Sequence, residues 1–338
     1  MAVCRSIYTI LTIDRWESLN HMVYRWPSLR KVHGKLALTV LDWVVNQPGL
    51  KLIHLTHIYS LTVHILVKAR MYEPAKSLLR ELSQMNIGSS SLFGALMNTY
   101  PRCKSSPAVF DLLIRVQLED SVVDALEIFR LMGFRGFNPS IYTCNLLMSV
   151  LARDRRVDLV WSLFKEMLSR SIFPDSCSFN ILINVLGAEG HLDKARFLLM
   201  KMEECGYSPS VVTFNSLLNW FCKKGRYKEA YKLIDQMEYR GIKADVVTYN
   251  VLIDDLCRNQ NSAKGYMLLK KMRKKNVCCN VVSYNTVING FVREGKLVMA
   301  VRILDEMRIV KLLPNVVTYN SLINGYVISG NVEHALKL

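Results

Sequence analysis

Apolar residues between positions 213 and 223 fall at Phe214, Leu217, Leu218 and Phe221, a spacing of three and four that puts them on one face of a helix. A second stripe, Ala230, Leu233, Ile234 and Met237, predicts another helix over 228–240. Lys224-Gly225 lies between them as a turn, glycine being the residue that tolerates a left-handed helix end. Thr213 stands in front of the first helix, where a hydroxyl can accept an orphan backbone N–H; Ser178, Thr248, Ser283 and Thr318 are expected to cap their helices in the same way. The pattern then repeats. Asn145, Asn180, Asn215, Asn250, Asn285 and Asn320 end near-identical pentads and are 35 residues apart at every step. Gly190, Gly295 and Gly330 recur at the turn, Ala195, Gly265 and Ala300 at the small position of the second helix, and Met167, Met202, Met272 and Met307 at the end of its stripe. A fixed period of this length is the mark of a solenoid, in which each unit buries its apolar face only against the next.

The period divides the chain. Residues 141–175, 176–210, 211–245, 246–280 and 281–315 are regular units, and 107–140 is a copy one residue shorter with Phe110-Asp111 at the Phe/Tyr-Asn positions. Residues 316–338 stop inside a second helix, so the array is expected to belong to a longer protein. Upstream, 56–90 is a degenerate copy with Tyr59-Ser60 at those positions, and 91–106 is an irregular insert with one extra helix over 92–99, stopped at Pro101. Residues 34–55 are read as a degenerate half-repeat, a helix over 35–45 ended by Gln47-Pro48-Gly49. Residues 1–33 carry Arg5, Arg15, Arg25, Arg30 and Lys31 among apolar residues. They have the character of an organelle transit segment, with Asp14 and Glu17 atypical of one.

Charge and cysteine usage narrow the partner and the compartment. The chain has 44 Lys+Arg against 28 Asp+Glu, a formal +16, which suits a polyanion such as nucleic acid. Its nine cysteines form no CxxC pair or metal-ligand spacing. Several occupy positions filled elsewhere by Val, Tyr or Phe, as Cys144 and Cys177 do, so they read as small hydrophobes in a reducing compartment. No apolar run reaches the length of a membrane span.

One stripe repeats without an evident packing role. Tyr142, Cys177, Val212, Val247, Val282 and Val317 lie three residues before the asparagines. Four residues after the asparagines come Ser149, Asn184, Asn219, Asp254, Asn289 and Asn324, and after four more Arg153, Ala188, Lys223, Arg258, Arg293 and Ile328. These steps share one helical face, so stacked units align them into a polar groove with a basic edge. An amide offers a donor and an acceptor to a base edge that a single strand leaves free. The same asparagine could instead bridge helices. The last residue of each unit is polar and varies: Asp175, Ser210, Asp245, Asn280, Asn315.

The 35-residue unit with Val246-Val247-Thr248-Tyr249-Asn250 in its first helix, alanine and methionine in its second, and Pro-Asp or Pro-Asn at its end resembles the pentatricopeptide repeat, of the type built from uniform units. The likeness is strong over 141–338, fair over 107–140 and weak before that. It implies an all-α, right-handed α-solenoid superhelix that binds single-stranded RNA, one base per repeat, in a plant organelle, the mitochondrion before the chloroplast. The family's pairing implies U for Asn145 with Asp175, C for Asn180 with Ser210, U for Asn215 with Asp245, and a pyrimidine for Asn250 with Asn280 and for Asn285 with Asn315. The core target is then U-C-U-Y-Y, Y being either pyrimidine, with Asn320 opening a further unit. Val212, Val247, Val282 and Val317 would sandwich bases, and Arg153, Lys223, Arg258 and Arg293 would meet phosphates. Asp111 with Ser140, and Ser60 with Ser90, depart from the pattern and imply no base.

Nothing in the sequence asks for catalysis or a cofactor. His54 and His57 can share a helix face but have no cysteine or acid partner, and no HxE with PCxxC, Gly-rich phosphate loop or carboxylate cluster appears. The expectation is a binder and not an enzyme. A helical scaffold that holds a protein partner in the same groove is the alternative, and a catalytic domain beyond residue 338 a third.

Overall fold

The computed structural model describes residues 34–46, 51–85, 87–103 and 105–336, and every regular element among them is a helix. The chain forms two compact units, Met1–Pro174 and Asp175–Leu338. The first holds α1 (Gly34–Val45), α2 (Leu52–Lys68), α3 (Tyr72–Gln84), α4 (Ser89–Cys103), α5 (Ala108–Asp120), α6 (Val122–Phe134), α7 (Ile141–Arg153) and α8 (Val157–Ser169). The second holds α9 (Ser176–Glu189), α10 (Leu192–Glu204), α11 (Val211–Lys223), α12 (Tyr227–Tyr239), α13 (Val246–Arg258), α14 (Ser262–Lys274), α15 (Val281–Arg293), α16 (Leu297–Ile309), α17 (Val316–Ile328) and α18 (Val332–Leu336). The N-terminal segment and Gln47-Pro48-Gly49 lie outside the described residues.

In the second unit the first helices α9, α11, α13, α15 and α17 stack on one another, and each second helix packs on the first helix of its own repeat. From α13 to α17 the core runs through the repeats without a break. Tyr249 and Ile253 of α13, Leu269 and Met272 of α14, Tyr284 and Ile288 of α15, Ile303 and Met307 of α16 and Leu322 of α17 form one buried cluster. No repeat encloses a core of its own, which is why the period must be kept. Met167, Met202, Met237, Met272 and Met307 are all fully buried, as are Ala195 and Ala300.

The turns carry the expected left-handed residues, glycine at Gly190, Gly225, Gly295 and Gly330 (φ +70° to +86°). Arg155 and Gln260 occupy the same turn in their repeats at φ +57°.

Helix starts differ from the sequence reading. The first helices begin at Val211, Val246, Val281 and Val316, two residues before the expected cap, and the second helix of the 211–245 repeat runs Tyr227–Tyr239. The caps are Asp175, Ser210, Asp245, Asn280 and Asn315, and Ser178, Thr213, Thr248, Ser283 and Thr318 are their third-position partners in reciprocal capping boxes. The buried hydroxyl is therefore the third-position partner, and the polar residue three positions before it is the cap. The insert differs too: α4 spans Ser89–Cys103 and continues through Pro101, which forgoes the helical bond to the carbonyl four residues back only two residues before the helix ends. It packs on α2 and on α6, and so covers α5, which is buried along most of its length.

Candidate nucleic-acid interface

The helix starts build the site. In the 246–280 repeat, Thr248 donates its backbone N–H to Asp245 Oδ1 at 2.8 Å, and Asp245 returns its own N–H to Thr248 Oγ1 at 3.2 Å. Burial opposes ionisation of Asp245, but the bonds from Thr248 and Asn215 outweigh it and hold the carboxyl below its usual range.

The repeated asparagine of the preceding unit ties into this box. Asn215 Nδ2 donates to Asp245 Oδ1 at 3.1 Å, and Asn215 Oδ1 accepts from the Thr248 hydroxyl at 2.7 Å. Asn285 is held in the same way by Asn315 at 3.1 Å and Thr318 at 2.7 Å. Asn250 contacts Asn280 at 3.5 Å and accepts from Ser283 at 2.6 Å. In the first unit Asp111 takes the asparagine's place and accepts the backbone N–H of the next cap, Ser140, at 3.0 Å. The bridging role left open by the sequence is therefore filled. It uses one N–H and one lone pair of an amide that has two of each, and leaves the other pair for a ligand.

The pairs expected to read bases are thus brought together where α11, α13, α15 and α17 follow one another. Ser210 is shorter, and its hydroxyl lies 3.3 Å from that of Thr213; Asn180 Oδ1, behind it, is buried without a hydrogen-bond partner. Asn145 is a buried residue of the first unit and Asp175 caps the first helix of the second. Asn320 is exposed on α17.

Beside the asparagines the apolar stripe faces solvent. Val247 keeps 50% of its surface exposed, Val212 62%, and Val282 and Val317 58% each; Tyr142 and Cys177 are exposed at the same position. Valines in the middle of a well-packed solenoid would be covered if packing were their role. The cations are less uniform. Arg293 is exposed, Arg258 pairs with Asp254 at 2.8 Å one turn back, and Arg153 lies 3.6 Å from Asp154. Lys223 sits over the Trp220 ring, Nζ 4.8 Å from its centroid. Trp220 escaped the sequence reading. The available signal was a tryptophan at a position filled elsewhere by Val150, Val185, Asp255, Gly290 and Gly325.

Other side chains offer little chemistry. Burial pushes the Cys144 and Cys222 thiols up to about 12 and Cys257 to about 11, where they pack as apolar groups. His54 and His57 line a cavity of about 840 Å³ between α2 and α4. Among the described residues no group of three or more His, Cys, Asp or Glu could hold a metal ion, and no helix is long and apolar enough to cross a membrane.

Known proteins resemble this chain in sequence and in fold. The PPR repeat family matches residues 139–188, 174–218, 209–258, 244–284 and 279–328. Pentatricopeptide repeat-containing protein At5g55840 of Arabidopsis thaliana is 58% identical over 165 residues, covering 48% of this chain and 15% of that protein. The mitochondrial pentatricopeptide repeat-containing protein At1g66345, also of Arabidopsis thaliana, is 31% identical over 133 residues, covering 39% of this chain and 24% of its own length. The chain thus spans a quarter or less of either relative. Among solved structures, the pentatricopeptide repeat protein PPR10 from maize has the same fold, with a TM-score of 0.51 at 22% identity over 99% of this chain and 54% of that one.

Proposed function

The chain belongs to the PPR repeat family, and from that membership we propose that it binds single-stranded RNA along the stripe of α9, α11, α13, α15 and α17, one base to a repeat. The observation that carries this reading is the bridged asparagine beside an exposed valine. Each bridge fixes an amide in orientation while leaving a donor and an acceptor for a Watson–Crick edge, and each valine offers an apolar surface to the face of a base. The pairs Asn180/Ser210, Asn215/Asp245, Asn250/Asn280 and Asn285/Asn315 of the second unit then select a pyrimidine-rich C-U-Y-Y run, part of the U-C-U-Y-Y core that the family's pairing implies. Arg153, Lys223, Arg258 and Arg293 turn from their resting contacts to phosphates.

Occupancy is the mechanism. A covered segment is withheld from nucleases and from its own pairing partners, which alters the stability, processing, splicing or translation of a transcript without any reaction on this chain. The proposed setting is a plant organelle; the mitochondrial relative supports the mitochondrion.

The test is an anisotropy titration of the full chain against a strand containing UCUYY, its adenine-substituted counterpart and the duplex. Preferential binding of the pyrimidine strand is expected, with discrimination at one base lost in Asn215→Ala/Asp245→Ala. Four phosphate contacts on a single strand give a log–log salt slope of about −3, and Arg258→Ala/Arg293→Ala reduces it by about 1.4. A folded protein that binds no RNA at low salt overturns the reading and points to a protein partner in the groove.

A further inference from the structure

At three junctions of the second unit the residue five positions after the repeated asparagine packs against the preceding repeat. At Gly290 a Cβ would fall 2.7 Å from Cys257 Sγ, and at Gly325 one would fall 2.8 Å from a Val292 methyl. Between the repeats 176–210 and 211–245 the sizes are exchanged. Trp220 holds that position, and opposite it is Gly187, where a Cβ would lie 2.3 Å from the indole Cδ1. The junctions at Gly290 and Gly325 close without an aromatic ring at that position, so packing density alone does not call for Trp220.

What the indole adds lies in the groove. Its Nε1 donates to Asn184 Oδ1 at 3.0 Å, and Asn184 Nδ2 donates at 3.0 Å to the main-chain oxygen of Asn180. Trp220 is partly exposed, and the cation over it, Lys223, belongs to the groove's basic edge. The same junction contains Asn180, whose amide oxygen is buried with no hydrogen-bond partner. An acceptor left unmatched in this way is costly, so the Asn180 side chain gains by turning toward a donor that arrives. A ring under a displaceable cation, linked through Asn184 to the backbone of Asn180, and the unpartnered amide oxygen of that same residue make one built site.

We propose that Trp220 is a base-stacking residue of the groove. It takes the face of an unpaired cytosine, the base proposed for the Asn180/Ser210 pair, and the Asn180 amide oxygen accepts from its exocyclic amino group. Lys223 leaves the ring for the adjoining phosphate as the base arrives. This rests on the RNA reading above and deepens it at one position.

The full chain is titrated with the UCUYY strand while tryptophan emission is followed. Of the five tryptophans, Trp220 is expected to carry the quenching: it disappears in Trp220→Phe and persists in Trp161→Phe. Abasic substitutions are then walked along the strand. In the wild type one abasic position weakens binding about tenfold. In Trp220→Leu, which keeps apolar bulk against Gly187, the intact strand already binds about tenfold more weakly and that abasic position has no further effect. Trp220 is not a stacking residue if the wild type binds the strand but quenching survives Trp220→Phe, or if the abasic cost is unchanged in Trp220→Leu. A folded wild type that binds no RNA removes the groove reading itself and this inference with it.

Discussion

Asn215 shows how much one side chain can carry in a repeat array. Its amide is a joint between two helices and, in the proposed function, a reader of a base. Thr248 makes the two compatible: it closes the capping box with its backbone N–H and orients the asparagine with its hydroxyl. Thr248→Ala should therefore cost about 1 kcal/mol of stability by denaturant titration. Thr248→Ser should cost much less, because Ser178 and Ser283 already do this work in their repeats. Equal losses from the two substitutions would mean that the methyl group, and not the hydroxyl, holds this position.

At the scale of the helix and its turns, the strain is unevenly distributed. Gln260 holds a left-handed turn at φ +57° where Gly225 and Gly295 serve their own repeats at +71° and +70°. Gln260→Gly is expected to stabilise the protein by about 1 kcal/mol, visible as a higher Tm and slower amide exchange in α13 and α14. The helix hairpins, the glycine turns and the buried methionines were legible in the sequence, because every repeat must present the same surface to the same neighbour. The outward valine stripe was legible for the same reason. Helix starts were not: Thr248 is so regular that it masked Asp245, whose identity changes from repeat to repeat while its capping role does not. The course of α4 through Pro101 and its cover over α5 were hidden because nothing repeats there. The pairing of Trp220 with Gly187 was hidden because the two lie 33 residues apart in sequence and meet only through stacking.

For the molecule as a whole, acid should act on the two units in separate pH ranges. His64 in the first unit is fully buried, with Nδ1 2.8 Å from Ser105 Oγ and Nε2 3.0 Å from the Leu96 carbonyl. Burial lowers its pKa to about 4, against a smaller opposing pull from that carbonyl. The unfolded chain takes up a proton near pH 6.5 and the folded chain near 4, so stability of this unit should fall as the pH drops through that window, by at most about 1.4 kcal/mol per unit. His57 is shifted in the same direction, by burial first and then by Arg102 and His54. Asp245 in the second unit is shifted down, so its contribution is present above the ordinary carboxylate range and is lost only in stronger acid. Amide exchange read separately for α2 with α4 and for α13 with α15 should show the first pair loosening at pH 5 while the second stays protected. His64→Gln should reduce that pH dependence.

The capping boxes also set a limit on vocabulary. Asp175, Ser210, Asp245, Asn280 and Asn315 begin their helices as well as standing in the proposed reading pairs, and the residues that start helices well are few: Asn, Asp, Ser, Thr and Gly. An alphabet drawn from that set can be respelled by exchanging one capping residue for another with little damage to the page it is written on. A spelling outside it, however well it matched a base, would loosen the binding of the whole volume.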